Sequence, residues 1–254
     1  LIIPIVSTAG ITMPKTSSRS ITSPSGTADT MEVLSKVSFN ANQVKKIIKK
    51  TNACIVWNEG MEITGADSKL IKIRHPLRLD PQGLMIASIL AKKQAVGATH
   101  LLLDIPVGKN AKVKTKKEAK ILKKRFEKIS KILKIKTKVI ITDAKQPIGN
   151  GVGPALEARD VLRILKRDKN APKDLEKKAI MMADKIFKLT NTKASAEEIL
   201  NTGQAYEKFK EIIKAQKGNP NIKPEKILLG KYTYDYKSTK NGKIKEINNK
   251  RVSN

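Results

Sequence analysis

The residues of this chain best suited to hold an anion lie between Lys15 and Thr30, where hydroxyl-bearing side chains are dense and Arg19 supplies a fixed cation. The hydroxyl groups belong to Thr16, Ser17, Ser18, Ser20, Thr22, Ser23, Ser25 and Thr27. Asp29 and Glu32 follow with capping-box spacing, which predicts that a helix begins there. Hydroxyl and N–H donors before a helix N-terminus can bind phosphate. A low-complexity surface loop is the alternative, but the flanking apolar sequence and Arg19 favour a phosphate site.

These residues must be positioned by a scaffold in which apolar runs alternate with helical patterns. Continuous apolar runs predict buried strands at Cys54–Trp57, His100–Val107 and Val139–Thr142. The spacings Thr115/Glu118 and Ser195/Glu198 predict two further helix starts. Helical patterns occupy residues 40–51, 84–95, 115–133, 154–166, 175–189 and 205–216. The alternation predicts an α/β fold with a mainly parallel sheet flanked by helices.

The C-terminal segment has a different pattern. Its tyrosines alternate as one face of a strand would, at Tyr232, Tyr234 and Tyr236. Asn241-Gly242 is a strong hairpin-turn signal, and Lys243–Ile247 would be the partner strand. Because two strands alone are marginally stable, we interpret residues 225–254 as the beginning of a small C-terminal β domain, and residues 1–220 as the α/β domain.

Composition narrows the function classes. Lys+Arg number 52 against 23 Asp+Glu, a formal net charge of +29, which raises the hypothesis of a nucleic-acid-binding module. The lysines are spread along predicted helix faces and aromatic residues make up only 4%, so we expect no nucleic-acid partner. No run approaches the roughly 18 apolar residues of a membrane span. The chain has a single cysteine, Cys54, in an apolar run, which indicates a core residue. It cannot form an internal disulfide, and this favours a location in the reducing cytoplasm.

The hydroxyl-rich segment also resembles a family signature: Ser, one residue, Arg, a small residue, an aliphatic residue, then Gly-Thr-x-Asp-x-apolar-Glu. The residues that fit it are Ser17, Arg19, Ser20, Ile21, Gly26, Thr27, Asp29, Met31 and Glu32. This pattern is similar to that of the pyrimidine-nucleoside phosphorylase family, which includes the thymidine phosphorylases. Ser23-Pro24-Ser25 replaces the His-Thr-Gly usual in bacterial members, and here the chain resembles the archaeal AMP phosphorylase branch. Further similar segments are Ile86–Lys93, Asp104–Gly108, Gln146–Gly149 and Val152–Ala158.

The resemblance implies a nucleoside phosphorylase-like fold in which residues 68–96 belong to a small helical lobe. It also implies a pentosyltransferase reaction, in which inorganic phosphate displaces the base from C1′ of a ribosyl group with inversion. For the archaeal branch the substrates are AMP, or another nucleoside monophosphate, and phosphate. The products are ribose 1,5-bisphosphate and the free base. Phosphate is a co-substrate, and we expect no cofactor.

Site residues follow from the same resemblance. Ser17 and Thr27 match the hydroxyls that hold the attacking phosphate. Arg74, Ser88 and Lys92 match the trio that holds the base in the pyrimidine enzymes. The residues that match AMP contacts of the archaeal branch are Ser18, Arg19, Ser20, Ile21, Thr22, Ser23, Thr27, Ser88 and Lys112.

Asp80 matches the proton donor of the archaeal branch. A purine leaves more easily when a ring nitrogen is protonated, and a carboxylic acid can supply that proton only if its pKa is raised toward neutrality. Asp80-Pro81 is also a good helix start, so Asp80 could cap a helix instead or as well. His75 and His100 lack metal-ligand spacing, and we expect both to be structural and no metal to bind.

The resemblance further predicts that the chain is incomplete at both ends. The family's second phosphate element, a Lys-x-Ser-x-Gly-Gly loop, should lie N-terminal to the signature. We therefore expect these 254 residues to be inactive alone, and the full-length protein to be a homo-oligomer, at least a dimer. A pyrimidine-nucleoside phosphorylase is the runner-up, disfavoured by Thr22–Ser25. The rival from another class is the nucleic-acid-binding module, whose affinity would fall steeply with salt.

Overall fold

The computed structural model describes residues 1–20, 24–58, 82–248 and 251–252. Its strands pair in parallel, β1 (Met13–Ser17) with β2 (Ala53–Trp57) and β3 (His100–Val107) with β4 (Lys136–Asp143). The helices within these ranges are α1 (Ile2–Thr8), α2 (Thr27–Glu32), α3 (Ala41–Thr51), α4 (Gln82–Ala95), α5 (Lys116–Ile132), α6 (Pro154–Leu165), α7 (Lys173–Leu189), α8 (Ala196–Asn201) and α9 (Gln204–Ala215). The predicted α/β fold with parallel strands is confirmed, although the described strands form two pairs rather than one continuous sheet.

Local capping explains where several helices begin. Before α3, Asn40 Oδ1 accepts from the Gln43 N–H (2.9 Å) and Gln43 Oε1 accepts from the Asn40 N–H (3.0 Å). Thr115 and Glu118 make the same reciprocal pair before α5, at 3.1 Å and 3.3 Å. Ser195 caps α8 by accepting one backbone N–H bond at 3.2 Å. Each cap satisfies amides that have no partner inside the helix, so the helix starts predicted at Thr115 and Ser195 are confirmed.

Two large apolar cores position the candidate site. The first packs α1, α2 and α6–α9 against the β1–β2 pair, with Ile5, Leu162 and Phe209 almost wholly buried. The second joins α4 and α5 to the β3–β4 pair around Phe126. Burying one such side chain contributes about 1.5–3 kcal/mol. A smaller cluster under α3 contains Cys54, whose thiol pKa burial raises to about 12, as expected for a core cysteine.

A polar contact joins the helices of the first core to the strands of the second. Lys178 of α7 places Nζ 2.8 Å from Asp104 Oδ2 on β3. Thr142 of β4 donates through Oγ1 to the other oxygen of that carboxylate at 2.7 Å. A partly buried ion pair with an additional hydrogen bond fixes relative position better than apolar contact alone, because its geometry is directional. This contact therefore helps to set how the two cores face each other.

The residue after α9, Gln216, is fully buried and ties that helix to β2. Its side chain accepts from the Ile55 N–H and donates to the Ile55 and Lys36 carbonyl oxygens, each at 2.8 Å. A buried amide side chain is tolerated only when its polar atoms are paired. Gln216 thus holds the strand beside β1 in place from a position 161 residues away in sequence.

Helix α2 begins earlier than predicted. Its first residue is Thr27, and Gly26 is the N-cap, so Asp29 stands in the first turn rather than at the start. The predicted N-cap, Asp29, is therefore wrong by three residues, because Asp29 is instead the third residue of the helix and accepts a bond from the N-cap amide. Its side chain takes the Gly26 N–H bond at 2.9 Å.

The predicted C-terminal hairpin is not formed between residues 230 and 248, where the structure assigns no strand. The tyrosines of the expected strand face, Tyr232, Tyr234 and Tyr236, are 86%, 88% and 83% exposed. An isolated two-stranded ribbon buries too little apolar surface to offset the loss of chain entropy. The division into domains stays a prediction. Among the described residues no helix is long and apolar enough to cross a bilayer.

Candidate phosphate-binding site

The loop between β1 and α2 carries most of the predicted site residues. β1 ends at Ser17 and α2 begins at Thr27, so each end of the loop is fixed by a regular element. Gly26 is in close contact with the start of the loop: a Cβ there would lie 2.6 Å from the Ser18 carbonyl oxygen and 2.9 Å from the Ser20 nitrogen. The two ends of the loop are therefore packed backbone against backbone, beside both predicted phosphate-binding hydroxyls.

Asp29 holds this loop closed. Its Oδ2 atom accepts from the Ser20 N–H at 2.7 Å and from the Gly26 N–H at 2.9 Å. Burial alone would raise the pKa of Asp29, but the two amide hydrogen bonds and Arg19 outweigh it, and the pKa is lowered. The group is therefore a carboxylate at neutral pH and remains an acceptor for both amides.

Arg19 forms ion pairs with two carboxylates of α2. It pairs with Glu32 through both terminal nitrogens, with Nη2 donating to Oε1 at 2.8 Å, and places Nη1 3.3 Å from Asp29 Oδ1. Its guanidinium carbon lies 4.8 Å from the centre of the Trp57 ring, within range of a cation–π interaction. The hydrogen bond to Glu32 is the main cause of its raised pKa. Arg19 thus orders the loop, and its predicted contact with AMP stays a prediction.

Hydroxyl groups of the loop and α2 line a cavity of about 470 Å³. Ser25 Oγ lies 2.7 Å from Thr30 Oγ1, which in turn donates to Glu157 Oε2 at 3.3 Å. Thr27 contributes to the same wall, and the apolar part includes Met31, Leu34, Ile148 and Phe209. A mainly apolar cavity with a few convergent polar groups is the usual form of a small-molecule site.

Glu157 is a feature of this cavity for which the sequence predicted no role. It lies in the first turn of α6, where its Oε1 accepts from the Gly153 N–H at 3.2 Å. Burial raises its pKa, and the nearby charges of Asp160 and Asp29 raise it further, against the two hydrogen bonds it accepts. The available signal was an acidic residue in the first turn after the glycine-rich turn Gly149–Gly153.

The predicted residues of the second core are only partly connected to this loop. Ser88 and Lys92 lie one turn apart on α4, so they share a face of the helix. The charge of Lys92 lowers the pKa of Lys15 on β1, after the larger effect of burial. Lys112 is exposed in the loop after β3, and the ligand contacts of all three predicted residues stay predictions.

Five predicted site residues lie outside the described residues: Ile21, Thr22, Ser23, Arg74 and Asp80. Their proposed contacts, and the proton-donor role of the last, stay predictions. Within the described ranges, no group of three or more His, Cys, Asp and Glu side chains could hold a metal ion.

Comparison with known proteins decides the family. A protein-family model described as "Glycosyl transferase family, a/b domain" matches residues 2–209. The chain belongs to this family. The match includes β1–β4, the loop closed by Asp29 and the residues from Pro24 to Phe209 that line the hydroxyl-bearing cavity.

Members of this glycosyl transferase family that resemble the chain include AMP phosphorylases of archaea. The chain is 44% identical to that of Methanococcus vannielii and 45% identical to that of Thermococcus kodakarensis. The AMP phosphorylase of Pyrococcus abyssi is 44% identical. Each alignment covers 100% of this chain but 51% of the relative, so the chain spans about half the length of the curated relatives it matches.

Proposed function

We propose that this glycosyl transferase serves in the phosphorolysis of AMP. An oxygen of inorganic phosphate forms a bond to C1′ of the ribosyl 5-phosphate, the bond from C1′ to adenine breaks, and adenine takes up a proton. The products are ribose 1,5-bisphosphate and adenine. The observation that carries the proposal is the closed, hydroxyl-rich loop from Ser17 to Thr27. The chain that holds this loop aligns, over all of its own residues, with AMP phosphorylases.

The proposed work of the loop is to position the attacking phosphate. The Ser17 and Thr27 hydroxyls would donate to it, while Asp29 and Arg19 hold the loop in shape before the ligand arrives. A loop that is already in shape needs little reorganisation during the reaction, which makes the electrostatic contribution of its donors larger. The Ser17 hydroxyl donates to the Ser18 carbonyl oxygen at 3.1 Å and would exchange that bond for one to phosphate. Phosphate acts as a co-substrate, and the proposed reaction uses no cofactor.

The remaining roles in the proposal come from sequence. Asp80 would protonate the leaving adenine, and Arg74, Ser88 and Lys92 would hold the base. Further AMP contacts would come from Lys112 and from the loop residues Ser18, Arg19, Ser20, Ile21, Thr22 and Ser23. The proposal also includes a homo-oligomer of at least two subunits and a cytoplasmic location.

Calorimetric titration of the chain with AMP, adenosine, thymidine and inorganic phosphate tests this function. We expect AMP to bind more tightly than either nucleoside. Thr27→Val removes one hydroxyl with little change of shape and should weaken phosphate binding by about tenfold. Thr202→Val is the matched control and should have no effect, because it removes an exposed hydroxyl that donates to the Glu198 carbonyl oxygen at the end of α8.

Two results would contradict the proposal. Thymidine binding as tight as AMP binding would favour a pyrimidine-nucleoside phosphorylase. Tight binding of a DNA oligonucleotide that weakens steeply with salt, together with no effect of Thr27→Val, would favour a nucleic-acid-binding module.

A further inference from the structure

Glu157 joins the glycine-rich turn before α6 to the helix that follows the loop between β1 and α2. Its Oε1 atom accepts from the Gly153 N–H at 3.2 Å, and its Oε2 atom accepts from Thr30 Oγ1 at 3.3 Å. Thr30 Oγ1 in turn lies 2.7 Å from Ser25 Oγ, inside the loop. The helices that carry Glu157 and Thr30, α6 and α2, pack against each other. A path of hydrogen bonds therefore runs from the Glu157 carboxyl group to the loop.

The Thr30 hydroxyl group has two acceptors within reach, the Gly26 carbonyl oxygen at 3.2 Å and Glu157 Oε2 at 3.3 Å. A hydroxyl group has one proton, so it donates to one of them at a time. An ionised carboxylate only accepts, and it is the stronger acceptor, so ionised Glu157 attracts the Thr30 proton. A protonated Glu157 donates to Thr30 Oγ1 instead, and the Thr30 proton is then available to the carbonyl oxygen of Gly26, the N-cap. The protonation state of Glu157 thus sets the direction of the hydrogen bonds at the start of α2.

The surroundings of Glu157 oppose its negative charge. Burial is the largest cause of its raised pKa, and the charges of Asp160 on α6 and Asp29 on α2 add to it, against the two hydrogen bonds that Glu157 accepts. A short 3₁₀ turn that packs against α6 carries Glu225 and Lys226, which are both exposed to solvent. No cation of the described residues is among the charges that act on Glu157. An additional anion in this region would therefore favour the protonated carboxyl group.

The proposed phosphate lies in the same region. Glu157 and Thr27 line one cavity, and Thr27 is one of the two hydroxyl-bearing residues to which we assign the attacking phosphate. A phosphate bound there adds negative charge where carboxylates already repel one another. Binding of phosphate and protonation of Glu157 should then favour each other by the same factor, because the coupling between two binding events is reciprocal.

We propose that Glu157 is a positioning residue of the phosphate site, which takes up a proton as phosphate binds and then holds the start of α2 through Thr30. The proton comes from solvent and forms an O–H bond at Oε2, which donates to Thr30 Oγ1. The Thr30 hydroxyl group turns to the Gly26 carbonyl oxygen, and no bond of the phosphate breaks. The inference rests on the proposed function for its ligand, inorganic phosphate.

Two substitutions at this one position test the role, with inorganic phosphate as the probe and calorimetric titration from about pH 5.5 to 7.5 as the assay. Glu157→Gln is uncharged, and its amide can donate to Thr30 Oγ1 as the protonated carboxyl group does. The affinity of the unchanged protein should fall, relative to that of Glu157→Gln, as pH rises. Glu157→Gln should therefore bind phosphate about three- to tenfold more tightly at about pH 7.5.

Glu157→Ala removes both the charge and the hydrogen bonds, so it should bind phosphate about tenfold more weakly than Glu157→Gln. Glu197→Gln is the matched control, because it removes an exposed carboxylate from the first turn of another helix, α8. It should match the unchanged protein at every pH. The ionisation of phosphate itself affects all four proteins equally.

The carbon-13 resonance of the Glu157 carboxyl group reports its protonation directly, and its absence from the spectrum of Glu157→Gln identifies it. We expect the pKa of Glu157 to be higher in saturating phosphate than in chloride of the same ionic strength. Such a rise, together with tighter binding by Glu157→Gln than by Glu157→Ala, supports the positioning role.

The outcomes separate this role from the proposed function. An unchanged Glu157 pKa in a protein that binds phosphate overturns the inference and leaves the proposed function standing. Equal affinities of Glu157→Gln and Glu157→Ala also overturn it, because the carboxyl group would then act through its charge alone. Weaker binding by Glu157→Gln than by the unchanged protein at every pH overturns it as well, because the role would then be structural and independent of the proton. No phosphate binding by any of the four proteins would refute the proposed function and the inference together.

Discussion

Replacing Asp29 with alanine should release the loop between β1 and α2. The carboxylate accepts amide hydrogen bonds of 2.7 Å from Ser20 and 2.9 Å from Gly26. Hydrogen bonds to charged groups contribute about 1.5–3 kcal/mol each. Because the side chain is 16% exposed and water can reach part of the freed surface, we take about 2–3 kcal/mol for the two together. Opening of the loop should then increase by about 30- to 150-fold.

Amide hydrogen exchange measures this opening directly, because both donors are backbone N–H groups. In Asp29→Ala the exchange of the Ser20 and Gly26 amides should accelerate by about 30- to 150-fold. Asp29→Asn keeps an acceptor oxygen but loses the charge, so its effect should be smaller. Asp143→Ala is the matched control: Asp143 also accepts one amide bond, from Lys145 at 3.0 Å, and its loss should leave the loop amides unchanged. If Asp29→Ala changes their exchange by less than about twofold, the carboxylate does not close the loop.

The pH dependence of the same exchange follows from the lowered pKa of Asp29. A carboxyl whose pKa is lower in the folded state stabilises that state above its unfolded pKa, and the stabilisation is lost as pH falls through the folded pKa. Protection of the two amides should therefore persist from neutral pH to about 4 and be lost only below the ordinary aspartate range. Loss of protection between pH 7 and 5 would show that another group closes the loop.

Three further substitutions test other parts of the account. Gly26→Ala would place a Cβ 2.6 Å from a backbone oxygen, so it should shift the loop and lower the free energy of unfolding by about 1–3 kcal/mol, measured by thermal unfolding. Gly83→Ala is the control: a Cβ there has no atom within 4 Å, so it should be neutral or stabilising. Gln216→Ala leaves buried backbone groups without partners and should lower the free energy of unfolding by about 2–4 kcal/mol in urea; a loss under 1 kcal/mol would contradict its bridging role. The pKa of Glu157 is raised in the folded state, so its ionisation lowers the free energy of unfolding as pH rises from about 4 to 7. Glu157→Gln removes this loss, and its free energy of unfolding should therefore rise relative to that of the unchanged protein over the same range. Equal pH profiles of the two proteins would refute this.

Local sequence patterns predicted those elements whose ends are set by neighbouring residues. Thr115 and Glu118 each accept a hydrogen bond from the other's backbone N–H, so four consecutive residues determine where α5 begins. The predicted strand His100–Val107 has the observed bounds, because a continuous apolar run of that length is typical of a buried strand and short for a helix. The hydroxyl-rich loop was identified as a candidate site for a similar reason, since its composition and the helix after it are both local.

Contacts between distant residues could not be predicted in this way. Nothing near Gln216 in sequence indicates that it bonds to Ile55, 161 residues earlier. Nothing near Arg19 in sequence indicates that its guanidinium pairs with both Asp29 and Glu32, and its predicted contact with AMP stays a prediction. The alternation of Tyr232, Tyr234 and Tyr236 satisfies a strand pattern without supplying a surface for that strand to pack on.

Adenine release by a hybrid enzyme tests the central claim most directly. Residues 1–254 would replace the matching half of the Thermococcus kodakarensis AMP phosphorylase, to which they are 45% identical. Hybrids whose melting temperature matches that of the parent would be assayed with AMP, with and without phosphate. We predict adenine release that requires phosphate and falls by about 10²–10³-fold when Thr27→Val removes one donor. A folded hybrid that releases no adenine with phosphate, or whose release does not depend on Thr27, would contradict the assignment of this chain to AMP phosphorolysis.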